Sequence, residues 1–295
     1  MLITAKNVVK KFDKFTALNH FNMNVPEGSI YGLVGPNGSG KTTTIKHLIG
    51  MYKQDEGEIL VNDEKVYDNE KVKSKIAYIS DDLYFFHGYS IKDMAKFYSK
   101  IYKDFSFEKF NDLQKVFNID IKRKVNKLSK GMKKQVAFWL TISCNPEIMI
   151  LDEPIDGLDP IMKENVWKIL LEEVKKRKMT VIISSHNLKE LENVCTNIGI
   201  MKNGEMVLEK ELEKKDNNIQ KVQIVFSNNS QIGKIREKLS ILKEEKVGSV
   251  YYFIVKGEQK EIEEILNKYK LTLMEFLPLS LEEVFMFENG GEADV

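Results

Sequence analysis

Cysteine is nearly absent from this chain. Only Cys144 and Cys195 occur among 295 residues, far apart and outside any C-x-x-C spacing, so two buried thiols in a reducing compartment are expected, not a disulfide framework or a zinc site. Histidine is equally sparse, with His20, His47, His87 and His186 scattered along the chain, and metal-cluster chemistry is not indicated. Neither sign of charge dominates. Lys plus Arg total 45 against 44 Asp plus Glu, and the net charge of +1 argues neither for a nucleic-acid partner nor for an acidic one. No run approaches the roughly 18 uninterrupted apolar residues that a membrane-spanning helix requires, and Met1 to Phe12 lacks the basic-then-apolar layout of a signal peptide. A cytosolic chain without internal repeats is expected.

Against these absences stand a sizeable core and one chemically specific loop. Hydrophobic residues make up 42% of the chain, enough for one large or two modest domains. The run GPNGSGKT, Gly35 to Thr42, fits G-x-x-x-x-G-K-[ST] completely. It lies between Ser29–Val34, which reads as a short buried strand, and Thr43–Ile49, which carries apolar residues at helical spacing. Gly35, Gly38 and Gly40 let the backbone turn and present N–H groups, joined by Pro36, Asn37, Ser39 and Thr43 in the wall of the loop. These donors and the positive end of the following helix suit the α- and β-phosphates of a nucleotide. Lys41 is expected to reach the β- and γ-phosphates, and Thr42 to place its hydroxyl on Mg²⁺.

Along the chain, Leu2–Lys10 and Phe15–Val25 read as an antiparallel pair, with Pro26-Glu27-Gly28 as the turn into the next strand. Further strands are expected at Gly57–Val61 and Ile76–Ser80. From Ser90 to Ser143 the spacing turns helical, which predicts an all-helical insert spanning about residues 88–145. Strand and helix then alternate: strand Ile148–Leu151, helix Val166–Val174, strand Thr180–Ser184, helix Leu188–Val194, strand Ile198–Met201. That alternation predicts a layered α/β core. Glu209–Asn218, charged and amide-rich, is expected to be a linker. Beyond it, Val222–Phe226, Ile232–Leu239, Ile241–Val247, Val250–Val255, Ile262–Tyr269 and Leu271–Phe276 predict β-α-β-β-α-β, the ferredoxin-like order, followed by a helical segment at Leu281–Phe287. The expected domains are 1–212 and 220–295, the second an α+β accessory domain for docking, regulation or plain support.

The second chemical constellation is IMILDEPIDGLD, Ile148 to Asp159. Four apolar residues ending in Asp152 describe a buried strand that delivers a carboxylate to its carboxyl end, where ligands gather in open α/β sheets. Asp152 is expected to hold Mg²⁺ directly or through water. Glu153, one residue further and pointing differently, is placed to polarise an attacking water.

Here the chain resembles the ATP-binding cassette family, across nearly all of Met1 to Glu209. Leu128-Ser129-Lys130-Gly131-Met132 resembles the family's signature, with Ser129 placed to cap a helix whose amino end accepts the γ-phosphate bound to the opposite subunit. Asp156-Gly157-Leu158-Asp159 resembles the loop that joins the two subunits. His186 matches the switch histidine, and Phe12 sits where an aromatic stacks on adenine. The resemblance implies a mixed sheet with an antiparallel β subdomain and a helical subdomain, an ATP-binding and ATP-hydrolysing activity, and a complete site only between two chains, as a homodimer or with a related subunit. It also implies a separate membrane-spanning permease that holds this chain at the inner face of the membrane, with the aromatic-rich loop of Leu83, Tyr84, Phe85, Phe86 and Tyr89 either gripping that partner or filling core.

Two positions depart from the family pattern. Asp81 stands where a glutamine is usual; a carboxylate binds Mg²⁺ but cannot donate a hydrogen bond as an amide does. Lys130 replaces the first glycine of the signature. The tail Ser280-Leu281-Glu282-Glu283-Val284-Phe285 resembles the branch that exports drugs, bacitracin and peptides. The expected function is therefore the ATPase subunit of such an exporter. The alternatives are a soluble cassette ATPase acting on DNA or ribosomes, or a regulator that binds ATP without turnover.

Overall fold

The computed structural model describes residues 1–212, 218–227, 232–279 and Glu283. The chain divides into two compact units, Met1–Leu212 and Glu213–Val295.

The first unit carries two sheets. An antiparallel sheet is built from β1 (Ile3–Phe12), β2 (Phe15–Val25), β4 (Glu56–Val61) and the short β5 (Glu64–Lys65), in the order β2-β1-β4-β5. The other holds β3 (Ile30–Val34), β6 (Ile76–Ile79), β7 (Ile148–Asp152), β8 (Thr180–Ser185), β9 (Asn197–Lys202) and β10 (Glu205–Glu211), in the order β10-β9-β3-β8-β7-β6. All its neighbours are parallel except β10, which runs antiparallel to β9. Every residue of β3, β7 and β8 is buried, which is why these strands read as near-continuous apolar runs.

Helix α1 (Lys41–Leu48) follows β3 after the Gly35–Gly40 loop, and the short α2 (Glu70–Lys73) precedes β6. The insert consists of α3 (Ile91–Ile101), α4 (Phe107–Phe117) and α5 (Lys130–Ser143). Ser90 and Asp93 form a reciprocal capping box on α3, and Ser106 caps α4. The insert is knitted around Trp139, whose ring stacks on Phe110 at 4.6 Å and whose Nε1 donates to the Phe110 carbonyl at 2.7 Å. Helix α6 (Pro160–Arg177) and the short α7 (Leu188–Leu191) flank β8.

The second unit has β11 (Ile219–Phe226), α8 (Ile232–Arg236), β12 (Ser240–Val247), β13 (Val250–Lys256), α9 (Gln259–Leu266) and β14 (Leu271–Leu277). Its sheet order is β12-β13-β11-β14, wholly antiparallel. Val222, Ile224 and Phe226 on β11 and Tyr251, Phe253 and Val255 on β13 share one face by period-2 alternation, and Ile235, Ile262 and Leu266 close over it.

The expected linker is corrected at its start. Glu205–Glu211 is an edge strand, paired to β9 from Glu205 opposite Lys202 through Glu211 opposite Asn197. Its residues alternate between exposed and half-buried, so no apolar period exists to reveal it. Glu209 is tied down: its Oε1 accepts from the Tyr31 hydroxyl and the Asn24 N–H, each at 2.7 Å. Asn203 and Gly204, at φ 51° and 81°, make the tight turn that starts the strand. The helices expected at Leu188–Val194 and Ile232–Leu239 end sooner, at Leu191 and Arg236. The helix expected at Leu281–Phe287, and the tail Ser280–Phe285 apart from Glu283, lie outside the described residues.

Candidate nucleotide site

The parallel sheet delivers its functional side chains to one edge. In register, Val34 of β3 lies opposite Ser185 of β8, and Asp152 of β7 lies opposite Ser184. The loops that continue β3, β8, β7 and β6 therefore begin side by side at the carboxyl ends of adjacent strands, where open α/β sheets place ligands.

The Gly35–Gly40 loop is shaped by sterics. Gly38 and Gly40 have φ of 83° and 107°, a region costly for other L-residues. A Cβ on Gly35 would collide with the Met201 carbonyl and sit 2.7 Å from Ser39 Oγ. Pro36, Asn37 and Gly38 are exposed, whereas Ser39 is buried with its hydroxyl unpaired. Lys41 is also buried. Its ammonium donates to the carbonyls of Gly35 at 2.7 Å and Pro36 at 3.3 Å and lies 3.6 Å from Glu153 Oε1. Behind the loop, His47 is buried, with Nδ1 2.7 Å from the Thr43 carbonyl, and desolvation holds its imidazole below the ordinary pKa.

The acidic side is built on β7. Asp152 is buried; its Oδ1 accepts from Ser184 Oγ at 2.5 Å and from the Thr42 hydroxyl at 3.4 Å. The Glu153 N–H donates to Ser184 Oγ at 3.1 Å. Glu153 itself has φ 44°, an unusual conformation for a non-glycine residue and one that clusters at functional sites. Beyond that turn its carboxylate meets His186, with Oε2 3.0 Å from Nδ1. Ligand atoms of Glu153, Asp156 and His186 all lie within 4.8 Å of one another. Burial first, and then the charges of Asp152 and Asp81, push the Tyr78 hydroxyl on β6 up to about 12.

The signature residues occupy the first turn of α5. Ser129 is the N-cap, its Oγ accepting from the Met132 N–H at 3.2 Å. Lys130 is exposed. Gly131 is confined: a Cβ there would lie 2.6 Å from the Gly157 carbonyl oxygen. Among the described residues no hydrogen bond or ion pair joins Ser129, Lys130, Gly131 or Met132 to the Gly35–Thr43 loop. Phe12, at the end of β1, is 39% exposed, with the Lys10 ammonium 5.4 Å from its ring centroid and Tyr52 edge-on at 5.5 Å.

Asp81 faces Lys134. The Lys134 side chain is fully buried on α5, 3.4 Å from Asp81 Oδ1, and donates to the Glu153 carbonyl at 2.7 Å. Sequence reasoning missed Lys134 and Ser184. Ser184 ends an apolar strand and reads as its stop; Lys134 opens a run, Lys134–Ser143, that is buried throughout, and only its position before Val136-Ala137-Phe138-Trp139 hints at that.

The description "ABC transporter" matches residues 18–156 as a family. The lantibiotic transport ATP-binding protein SrtF of Streptococcus pyogenes is 34% identical over 73% of this chain and 93% of its own length. This chain belongs to the ABC transporter family. It is an ABC ATPase, an ATP-binding subunit of an ABC transporter. The ATP-binding protein YtrB of Bacillus subtilis is 28% identical over 99% of both chains, so its likeness extends through both units. A solved ATP-binding subunit of an ABC transporter superposes with a TM-score of 0.67 at 25% identity, over 72% of this chain and 91% of its own. The alternative of a cassette ATPase without a transport role is not favoured by relatives of this kind.

Proposed function

We propose that ATP occupies the Gly35–Thr43 cradle with Mg²⁺, that Glu153 directs its hydrolysis, and that two such sites open and close a dimer driving a membrane-spanning exporter. The observation that carries this reading is the convergence of Lys41, Asp152, Glu153 and His186 at the carboxyl edge of adjacent parallel strands. Lys41 rests on two neutral carbonyls, and β- and γ-phosphate oxygens are stronger, anionic acceptors for its ammonium. As it turns to them, Glu153 Oε1 is released to take a proton from water aimed at the γ-phosphorus. His186 Nδ1–H steadies Oε2. Thr42 Oγ1 and Asp152 Oδ1, 3.4 Å apart, are hard oxygen donors that fit Mg²⁺, which when bound neutralises charge on the phosphate oxygens. Asp81 is left out of that donor set because its Oδ1 faces the Lys134 ammonium.

Ser129, Lys130, Gly131 and Met132 serve the ATP of the opposite subunit, whether an identical chain or a related one. Phe12 offers a half-exposed ring to adenine. The partner in the membrane is a separate permease, a reading supported by Tyr84, Phe86 and Tyr89, which are 82%, 36% and 41% exposed on the loop after Asp81. Export of an antimicrobial peptide or similar compound, from the cytoplasmic face, is supported by the lantibiotic transport relative. Residues 220–295 form an accessory domain for docking or regulation.

The test is purification of the tagged full-length chain from membranes. Co-purification of a multi-span protein is expected, and Glu153→Gln is expected to retain ATP and run as a dimer on size-exclusion chromatography. A chain recovered wholly without membrane protein, or monomeric with ATP in that variant, overturns the reading.

A further inference from the structure

We propose that Lys134 is a positioning residue for Glu153: its buried ammonium clamps the Glu153 carbonyl in the conformation that aims the carboxylate, with Asp81 as its counter-ion. This rests on the reading of Glu153 as the residue that directs water.

An ammonium with no solvent exposure requires paired partners, and Lys134 has two. It donates to the Glu153 carbonyl at 2.7 Å and pairs with Asp81 Oδ1 at 3.4 Å. The Glu153 peptide is thereby held from both sides, since its N–H is bound to Ser184 Oγ at 3.1 Å. Two such holds explain how a non-glycine residue stays at φ 44°, a conformation that persists only where its surroundings over-determine it. The side chain that leaves this turn reaches His186 Nδ1 at 3.0 Å and Lys41 Nζ at 3.6 Å. A relaxed backbone at Glu153 would swing its carboxylate off both.

The clamp also accounts for Asp81. Lys134 stands on α5 three residues after Gly131, and Asp81 on the loop after β6, so the insert, that loop and the backbone of Glu153 share one buried cation. A neutral amide at position 81 would leave this cation without a counter-charge. Asp81 and Lys134 are therefore a matched pair, and neither is a sign of a decayed site.

The test uses the full-length chain and compares Lys134→Met, which keeps the length of the side chain and removes the donor, with Glu153→Gln and the double variant. Lys134→Met is expected to lower kcat about a hundredfold, the scale of a slightly misplaced catalytic group, with the KM for ATP and the affinity for a fluorescent ATP analogue unchanged. In the Glu153→Gln background it is expected to add no further loss. A crystal structure of Lys134→Met is expected to show Glu153 out of its positive-φ turn and its carboxylate away from His186. Wild-type kcat in Lys134→Met alongside an inactive Glu153→Gln overturns the clamp and leaves the role of Glu153 standing. Nucleotide affinity lost in parallel with kcat, or an unchanged Glu153 in the variant structure, also overturns it. Wild-type turnover in Glu153→Gln overturns the underlying reading instead.

Discussion

The two units of this chain differ most in what they bury. The first encloses Lys41, Lys134, Asp152, Glu173, His47 and several hydroxyls; among the described residues the second buries no polar side chain to that degree. Buried polar groups are costly unless paired, so their concentration in one unit marks where stability is traded for chemistry. The second unit's core is Val222, Ile224, Phe253, Val255 and their apolar neighbours. A parallel sheet with loops at one edge suits the former, and an antiparallel sheet with one dry face suits the latter.

That contrast is broken most severely at Lys41. Lys41→Ala should reduce nucleotide affinity by more than about a hundredfold, because it removes the side-chain cation of the Gly35–Thr43 cradle; titration with a fluorescent ATP analogue checks this, and near-native affinity would dissolve the distinction. Glu153→Gln should spare affinity and lower kcat by roughly 10² to 10⁴, measured as phosphate release. In the second unit, Phe253→Ala should cost about 3–5 kcal/mol of that unit's stability and leave ATP affinity unaltered, which denaturant melting and titration on one preparation would show.

A subtler test uses acid. Burial tends to raise the Glu173 carboxyl, but hydrogen bonds and charges from Lys109 and Arg177 outweigh it and hold the group below the usual range. The unfolded chain then takes up the proton first. The stability so contributed is whole above the ordinary glutamate pKa of about 4.3 and drains away as pH falls through the lower folded value. Glu173→Gln should flatten this acid limb in melting curves taken between neutrality and about pH 3. Smallest of all, Lys6→Ala, which breaks an exposed pair with Glu58, should change stability by less than about 1 kcal/mol.

Much of the first unit was legible because its strands are buried on both faces and its glycines punctuate sharply. Ile148–Asp152 declared both a strand and the carboxylate at its end. The six elements of the second unit were legible in kind and order, from strand-like runs and helical spacing, although α8 ends sooner than its spacing suggested. What escaped shares a cause: the residue's neighbours in space are distant in sequence. Glu209 reads as solvated charge until Tyr31 and Asn24 are seen to bond it. Ser184 reads as a strand stop until Asp152 lies beside it. Lys134 is a charge in an apolar run, and burial of a lone lysine is rare enough that no pattern rule selects it. Asp81 was legible as a departure but not its partner, because the compensating residue lies 53 positions away.

The contact between Gly131 and the Gly157 carbonyl has a consequence for how drift in such motifs is judged. Position 131 has no room for any side chain without displacing backbone, so it is closed to substitution by geometry alone. Position 130 is exposed on the first turn of α5, meets no such obstacle within the chain, and with a lysine keeps the Ser129 cap on the Met132 N–H intact. A consensus that weights both glycines alike therefore overlooks that only one of the two positions is fixed by packing within the subunit.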